Sequence, residues 1–160
     1  MIKRLLTIRY ICKKYKVDYS LLSVLGVKFF RKSDGWVELD GEGVPVRIGV
    51  NPFMKNFYET LLHETGHIVL NRCGKNGRFK ENYKVDGPEE HSWILRVEEE
   101  ALASKFAIRV LKGEANVQYL EKCWHTYTRH VTTAYRTSPV FMTLIDTIGK
   151  NSKIFWRNKW

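Results

Sequence analysis

Of the side chains able to do chemistry, those of His63, Glu64 and His67 stand at the most informative spacing, within Leu61-Leu62-His63-Glu64-Thr65-Gly66-His67-Ile68-Val69-Leu70. On a helix, residues four apart lie one turn above each other, so both imidazoles can reach a single metal ion. Glu64 then lies beside that ion as a base able to take a proton from water. Such a site needs three protein ligands and one open position for water or substrate, so a third ligand must come from elsewhere.

The best source is Arg96-Val97-Glu98-Glu99-Glu100-Ala101-Leu102-Ala103-Ser104-Lys105-Phe106-Ala107, a helix-compatible run downstream. Successive helical positions fan out by about 100°. Only one of Glu98, Glu99 and Glu100 can therefore point fully at the metal, and periodicity alone leaves all three open. Ala101, Ala103, Ser104 and Ala107 are small enough to let this helix approach the first closely. A third histidine in the elongated version of the motif is excluded, because Leu70 and Cys73 hold the positions where its glycine and histidine would fall. Cys73 is read as a thiol with no ligand role.

The rest of the chain must position these groups. At 160 residues it is long enough for one domain with a real core. A single domain is expected over residues 1–160, made of a basic N-terminal helix (1–25), a sheet with the metal-site helices (27–112), and C-terminal helices with a tail (114–160). Residues 2–16 place Ile2, Leu5, Leu6, Ile8, Ile11 and Cys12 at helical spacing, predicting an amphipathic helix with those residues in the core. After Asp18-Tyr19-Ser20, a turn or short helix is expected to run to Leu25. Three strands follow, at Val27–Phe30, Gly35–Leu39 and Val44–Val50, with Pro45 marking a strand start or an edge. They predict a small antiparallel sheet and an α+β fold. Asn51-Pro52 signals the start of the motif helix, to about Leu70. After a polar loop, the glutamate helix is expected from Pro88 to Lys112 and is ended by Gly113. Helices at Ala115–Thr133 and Pro139–Ile148 complete the pattern. The tail from Lys150 to Trp160 mixes four basic residues with Phe155, Trp156 and Trp160.

Charge is unevenly placed. The net charge is +10, and residues 1–32 hold nine Lys or Arg against one acid, Asp18. A local field of that kind attracts polyanions, so nucleic acid or an acidic protein is a candidate partner of the basic N-terminal helix. Three cysteines without paired spacing and no signal-type leader point to a reduced, cytoplasmic setting. No run approaches the roughly 18 apolar residues of a membrane span, and no membrane partner is expected.

The strand Ile48-Gly49-Val50-Asn51, the motif His63-Glu64-Thr65-Gly66-His67 and the segment around Ala103-Ser104-Lys105-Phe106-Ala107 together resemble the ImmA/IrrE-type metallopeptidases. The resemblance spans roughly residues 27–112. It implies a helical zincin core with a two-helix metal site, bound Zn2+, and hydrolysis of peptide bonds in a specific protein, often a repressor or other regulator of a mobile element or phage. Matching Ala103-Ser104-Lys105-Phe106-Ala107 to the family's Ala-Asn/Asp-x-Phe-Ala places Glu100 at the third-ligand position. Two departures stand out. Ser104 takes the place of Asn or Asp, which bears on any hydrogen bond from there to a ligand histidine. The helix-turn-helix attachment and the Leu-Leu-Met-Pro continuation are absent.

The expected machinery is then His63, His67 and Glu100 on zinc, with Glu64 as general base. An oxyanion stabiliser is also needed. His91, Tyr83, His125, Tyr127 and His130 are candidates, and His91 is preferred for its place at the start of the glutamate helix. Two rival readings are a non-catalytic zinc-site fold that binds protein or nucleic acid, and a SprT-like protease acting on DNA-associated proteins.

Overall fold

The protein is represented by a computed structural model, which describes residues 2–21, 35–40, 45–73 and 89–134. Four helices and a three-stranded mixed sheet make an α+β fold, in the order α1 (Ile2–Tyr15), β1 (Asp18–Leu21), β2 (Gly35–Leu39), β3 (Pro45–Val50), α2 (Phe57–Cys73), α3 (Glu89–Leu111) and α4 (Val117–Ala134).

The sheet corrects the antiparallel expectation. Its order is β1-β3-β2, with β2 antiparallel and β1 parallel to β3. Asp18–Leu21, where no strand is expected, is the parallel strand, with Tyr19 opposite Ile48. The alternation of Asp18 and Ser20 with Tyr19 and Leu21 covers only four residues, too short a signal by itself; pairing with β3 decides their conformation. Pro45 opens the central strand, where its missing N–H costs no interior ladder bond. The expected strand at Val27–Phe30 and the helix at Pro139–Ile148 lie outside the described residues.

Helix α2 starts later than Pro52. The Asn51 side chain accepts a bond from Phe53 N at 2.9 Å, closing a turn. Arg4 fixes that turn by donating to the carbonyls of Pro52 and Met54 at 2.7 and 2.9 Å. Once begun, α2 is the centre of the molecule. Its Phe57, Leu61, Leu62 and Ile68 are buried among Ile8 and Ile11 of α1, Ile48 and Val50 of β3, Ala107 and Ile108 of α3, and Leu120 of α4. Helix α3 ends as its sequence suggests, with Lys112 and Gly113 at φ 49° and 93°. Asn116 caps α4 by accepting from Tyr119 N at 3.1 Å. Its own N–H donates to buried Glu59 of α2 at 2.8 Å, tying the two helices together.

On α1 the core face is narrower than expected. Ile8, Ile11 and Cys12 are buried, but Ile2 and Leu6 stay 74% and 58% exposed. The reason is rotation about the helix axis, since the buried arc centres on Ile8 and turns Ile2 and Leu6 to the opposite side.

Candidate metal centre

Helix α2 packs more extensively on α3 than on any other element. Gly66 makes the close approach possible. A methyl group there would stand 3.0 Å from Ala103 Cα and 3.1 Å from Ala103 O, both backbone atoms that no rotamer change can move. Ala103, Ser104 and Ala107 of α3 are all fully or almost fully buried at this contact.

That approach brings His63, His67 and Glu100 together as a group that could hold a metal ion, their ligand atoms all within 4.8 Å of one another. His63 Nε2 lies 3.2 Å from His67 Nε2 and 3.1 Å from Glu100 Oε2, and His67 Nε2 lies 3.5 Å from Glu100 Oε1. Metal–ligand bonds of roughly 2.0–2.1 Å at tetrahedral angles put neighbouring ligand atoms about 3.3–3.4 Å apart. The observed separations straddle that value. Glu98 does not join the group.

The outer ring nitrogens show why these atoms face inward. His67 Nδ1 lies 3.0 Å from Glu99 Oε1, a carboxylate only 2% exposed. A carboxylate can only accept, so that nitrogen carries the proton. His63 Nδ1 lies 3.0 Å from Ser104 Oγ and shares a hydrogen bond with it. Each Nε2 then turns inward toward the Glu100 carboxylate, where loss of its proton would leave a lone pair for a metal. Two imidazole nitrogens and a carboxylate oxygen so close need positive charge among them, which a proton on His67 or a metal ion in its place can supply. Ser104 is thus the hydrogen-bond partner of the outer His63 nitrogen. Glu99, unassigned from sequence, orients His67. Its place among three successive glutamates, each open as a ligand, was its only signal.

Electrostatics follow from this packing. Burial opposes charge on His67, but the carboxylate of Glu100, the hydrogen bond to Glu99 and the charge of Glu64 outweigh it, pushing the imidazole pKa up to about 9. Burial would raise Glu100, yet His67 and His63 hold it below the usual carboxylate range. Glu64 goes the other way. Burial pushes it above that range, against the pull of His63 and His67 and with Glu100 adding to the rise. The cluster as a whole favours one more positive charge.

Strand β2 reaches the same place. A Cβ on Gly35 would lie 2.9 Å from Glu64 Cγ and 3.1 Å from its Oε1, so only glycine leaves that carboxylate its room. Thr60, one turn before Glu64, lies against Gly35 as well and shares a 3.1 Å hydrogen bond with the Tyr119 hydroxyl.

The chain was compared with family models, curated proteins and solved structures. Nothing matches. The site must therefore be read from its own geometry.

Of the oxyanion candidates, only His125 and Tyr127 have side chains among the described residues. His91 falls early in α3 at a position whose side chain is outside the described residues, as are Tyr83 and His130 and the side chain of Cys73. His125 is half exposed on α4 and lies 3.8 Å from Glu121 of the same helix. Tyr127 is part-buried on α4. Cys12 and Cys123 are free thiols, and burial, aided by Asp18, pushes Cys12 up to about 11. No described helix is long and apolar enough to cross a membrane.

Proposed function

We propose that this protein is a zinc-dependent endopeptidase of the ImmA/IrrE type, working in the cytoplasm on a specific protein target such as a transcriptional regulator. The observation that carries the reading is the convergence of exactly the kind of ligand set an open zinc site uses, with a carboxylate beside it that is not a ligand. His63, His67 and Glu100 would hold the ion, and among the described residues no fourth His, Cys, Asp or Glu joins them. A structural zinc site is normally closed by four protein ligands, whereas a catalytic one keeps a position open. Bound there, zinc would supply Lewis acidity for the scissile carbonyl and for water.

The chain's own residues do the rest. Glu64, raised by burial, is poised to accept the proton of the attacking water and pass it to the departing amine. Glu99 and Ser104 keep the imidazoles turned inward. Strand β2 lies at a sheet edge among the described residues and touches Glu64 through Gly35, which sets an extended segment of chain beside the base. His91 remains the candidate for stabilising charge on the carbonyl oxygen.

Glu64→Gln tests the proposal. Elemental analysis is expected to find zinc retained, while proteomic comparison of cells making the two forms finds a cleaved target only with the wild type. Identical proteomes would refute hydrolysis and favour a zinc-site fold used only for binding.

A further inference from the structure

Outside the metal centre, the most unusual surface is the outward face of α1. Ile2, Leu6 and Tyr10 are 74%, 58% and 64% exposed, at intervals of one helical turn. At about 100° per residue they fall within an arc of about 80°. Arg9 and Lys13 fall on one margin of that arc or within it, Lys3 and Lys14 on the other, and all four are exposed. Helix α1 contains no acidic residue. The same helix buries Ile8, Ile11 and Cys12, so this second apolar stripe is additional to the one that anchors it.

The cationic rim continues past the helix end. An open cleft of about 440 Å³ is lined by Arg9, Lys13 and Lys16 together with Tyr19, and only Asp18 opposes them. A helix C-terminus would normally discourage an anion. Here Arg72 donates to the carbonyls of Tyr15 and Lys16 at 3.5 and 2.5 Å, covering that end of the dipole.

We propose that α1 docks the protein on an anionic membrane surface, with Ile2, Leu6 and Tyr10 entering the lipid interface and the surrounding cations meeting headgroup phosphates. Apolar side chains in the middle of a basic face are the signature of an interfacial helix, and such docking needs no spanning segment. Phosphodiester backbones satisfy the cations but leave the aliphatic stripe in water. A second copy would bring like charge against like charge.

The test is sedimentation of the purified chain with phosphatidylcholine vesicles containing roughly one-third phosphatidylglycerol. Each cation near an anionic leaflet is worth about fivefold in affinity. Lys13→Glu is therefore expected to weaken binding about 25-fold, and vesicles of phosphatidylcholine alone bind at least tenfold less. Leu6→Glu is expected to cost at least tenfold at an unchanged melting temperature, with Leu6→Ala giving a smaller loss in the same direction. Wild-type vesicle binding by Leu6→Glu overturns the proposal. So does failure to sediment with the anionic vesicles, and tight binding of a duplex oligonucleotide in its place would assign the face to nucleic acid. Glu64→Gln is expected to bind vesicles as wild type does, which separates this result from the peptidase reading.

Discussion

Gly66→Ala is the most discriminating single change, because local and tertiary physics disagree about its sign. In an isolated helix, alanine is better than glycine by about 1 kcal/mol. In this fold the new methyl meets Ala103 Cα at 3.0 Å and Ala103 O at 3.1 Å. Carbon atoms prefer about 3.5–4.0 Å, so α2 and α3 must separate by roughly 0.5–1 Å to relieve the contact. Overpacking of this kind costs about 1–3 kcal/mol, which offsets or exceeds the helical gain. The site suffers more. Glu100 lies one turn before Ala103, and metal–ligand distances tolerate only about ±0.2 Å. Zinc affinity is expected to fall on the order of 10–100-fold, equivalent to about 1.4–2.7 kcal/mol, with a melting temperature near or below wild type. Competition against a chromophoric chelator measures the first and thermal unfolding the second. A variant that melts higher and holds zinc as wild type does would refute the claim that this contact sets the ligand geometry.

The three glutamates are expected to separate by role. By elemental analysis, Glu100→Ala loses zinc, Glu99→Ala weakens binding about 10–100-fold by releasing His67, and Glu98→Ala keeps full occupancy; equal losses would refute the assignment. Gly35→Val is expected to lower turnover of a cleaved target at least tenfold while zinc content stays constant, because the displaced group is the base and no ligand. Acid–base behaviour gives a further check on chelator-stripped protein. His67 has a folded pKa of about 9, above its ordinary 6.5, so its charge stabilises that form fully below pH 6.5 and the contribution fades as pH rises through 9. Zinc binding near pH 7.5 is accordingly expected to release about one proton, read from the buffer dependence of the binding enthalpy. Release of none would contradict the charge balance described for the cluster.

The His63-Glu64-x-x-His67 spacing was legible in the sequence because a helix turns its residues at a fixed angle, and four positions always return to one face. The end of α3 was legible for a similarly local reason, in Gly113. The strand at Asp18–Leu21 was not, since nothing in those four residues competes with the pairing that β3 offers. Ile2 and Leu6 were assigned to the core of α1, because periodicity reveals an apolar stripe but not which stripe a helix turns inward.

Sequence by itself determined the pair of imidazoles and the carboxylate beside them, groups whose relation is fixed by one helical turn. It narrowed the third ligand to three glutamates, and a family resemblance singled out Glu100. Only the tertiary structure decided how these were used, with Glu100 facing the imidazoles, Glu99 behind His67, Ser104 behind His63 and Gly35 against Glu64. Those roles depend on how closely α2, α3 and β2 approach, and that distance is set by side chains far apart in the chain meeting across the core.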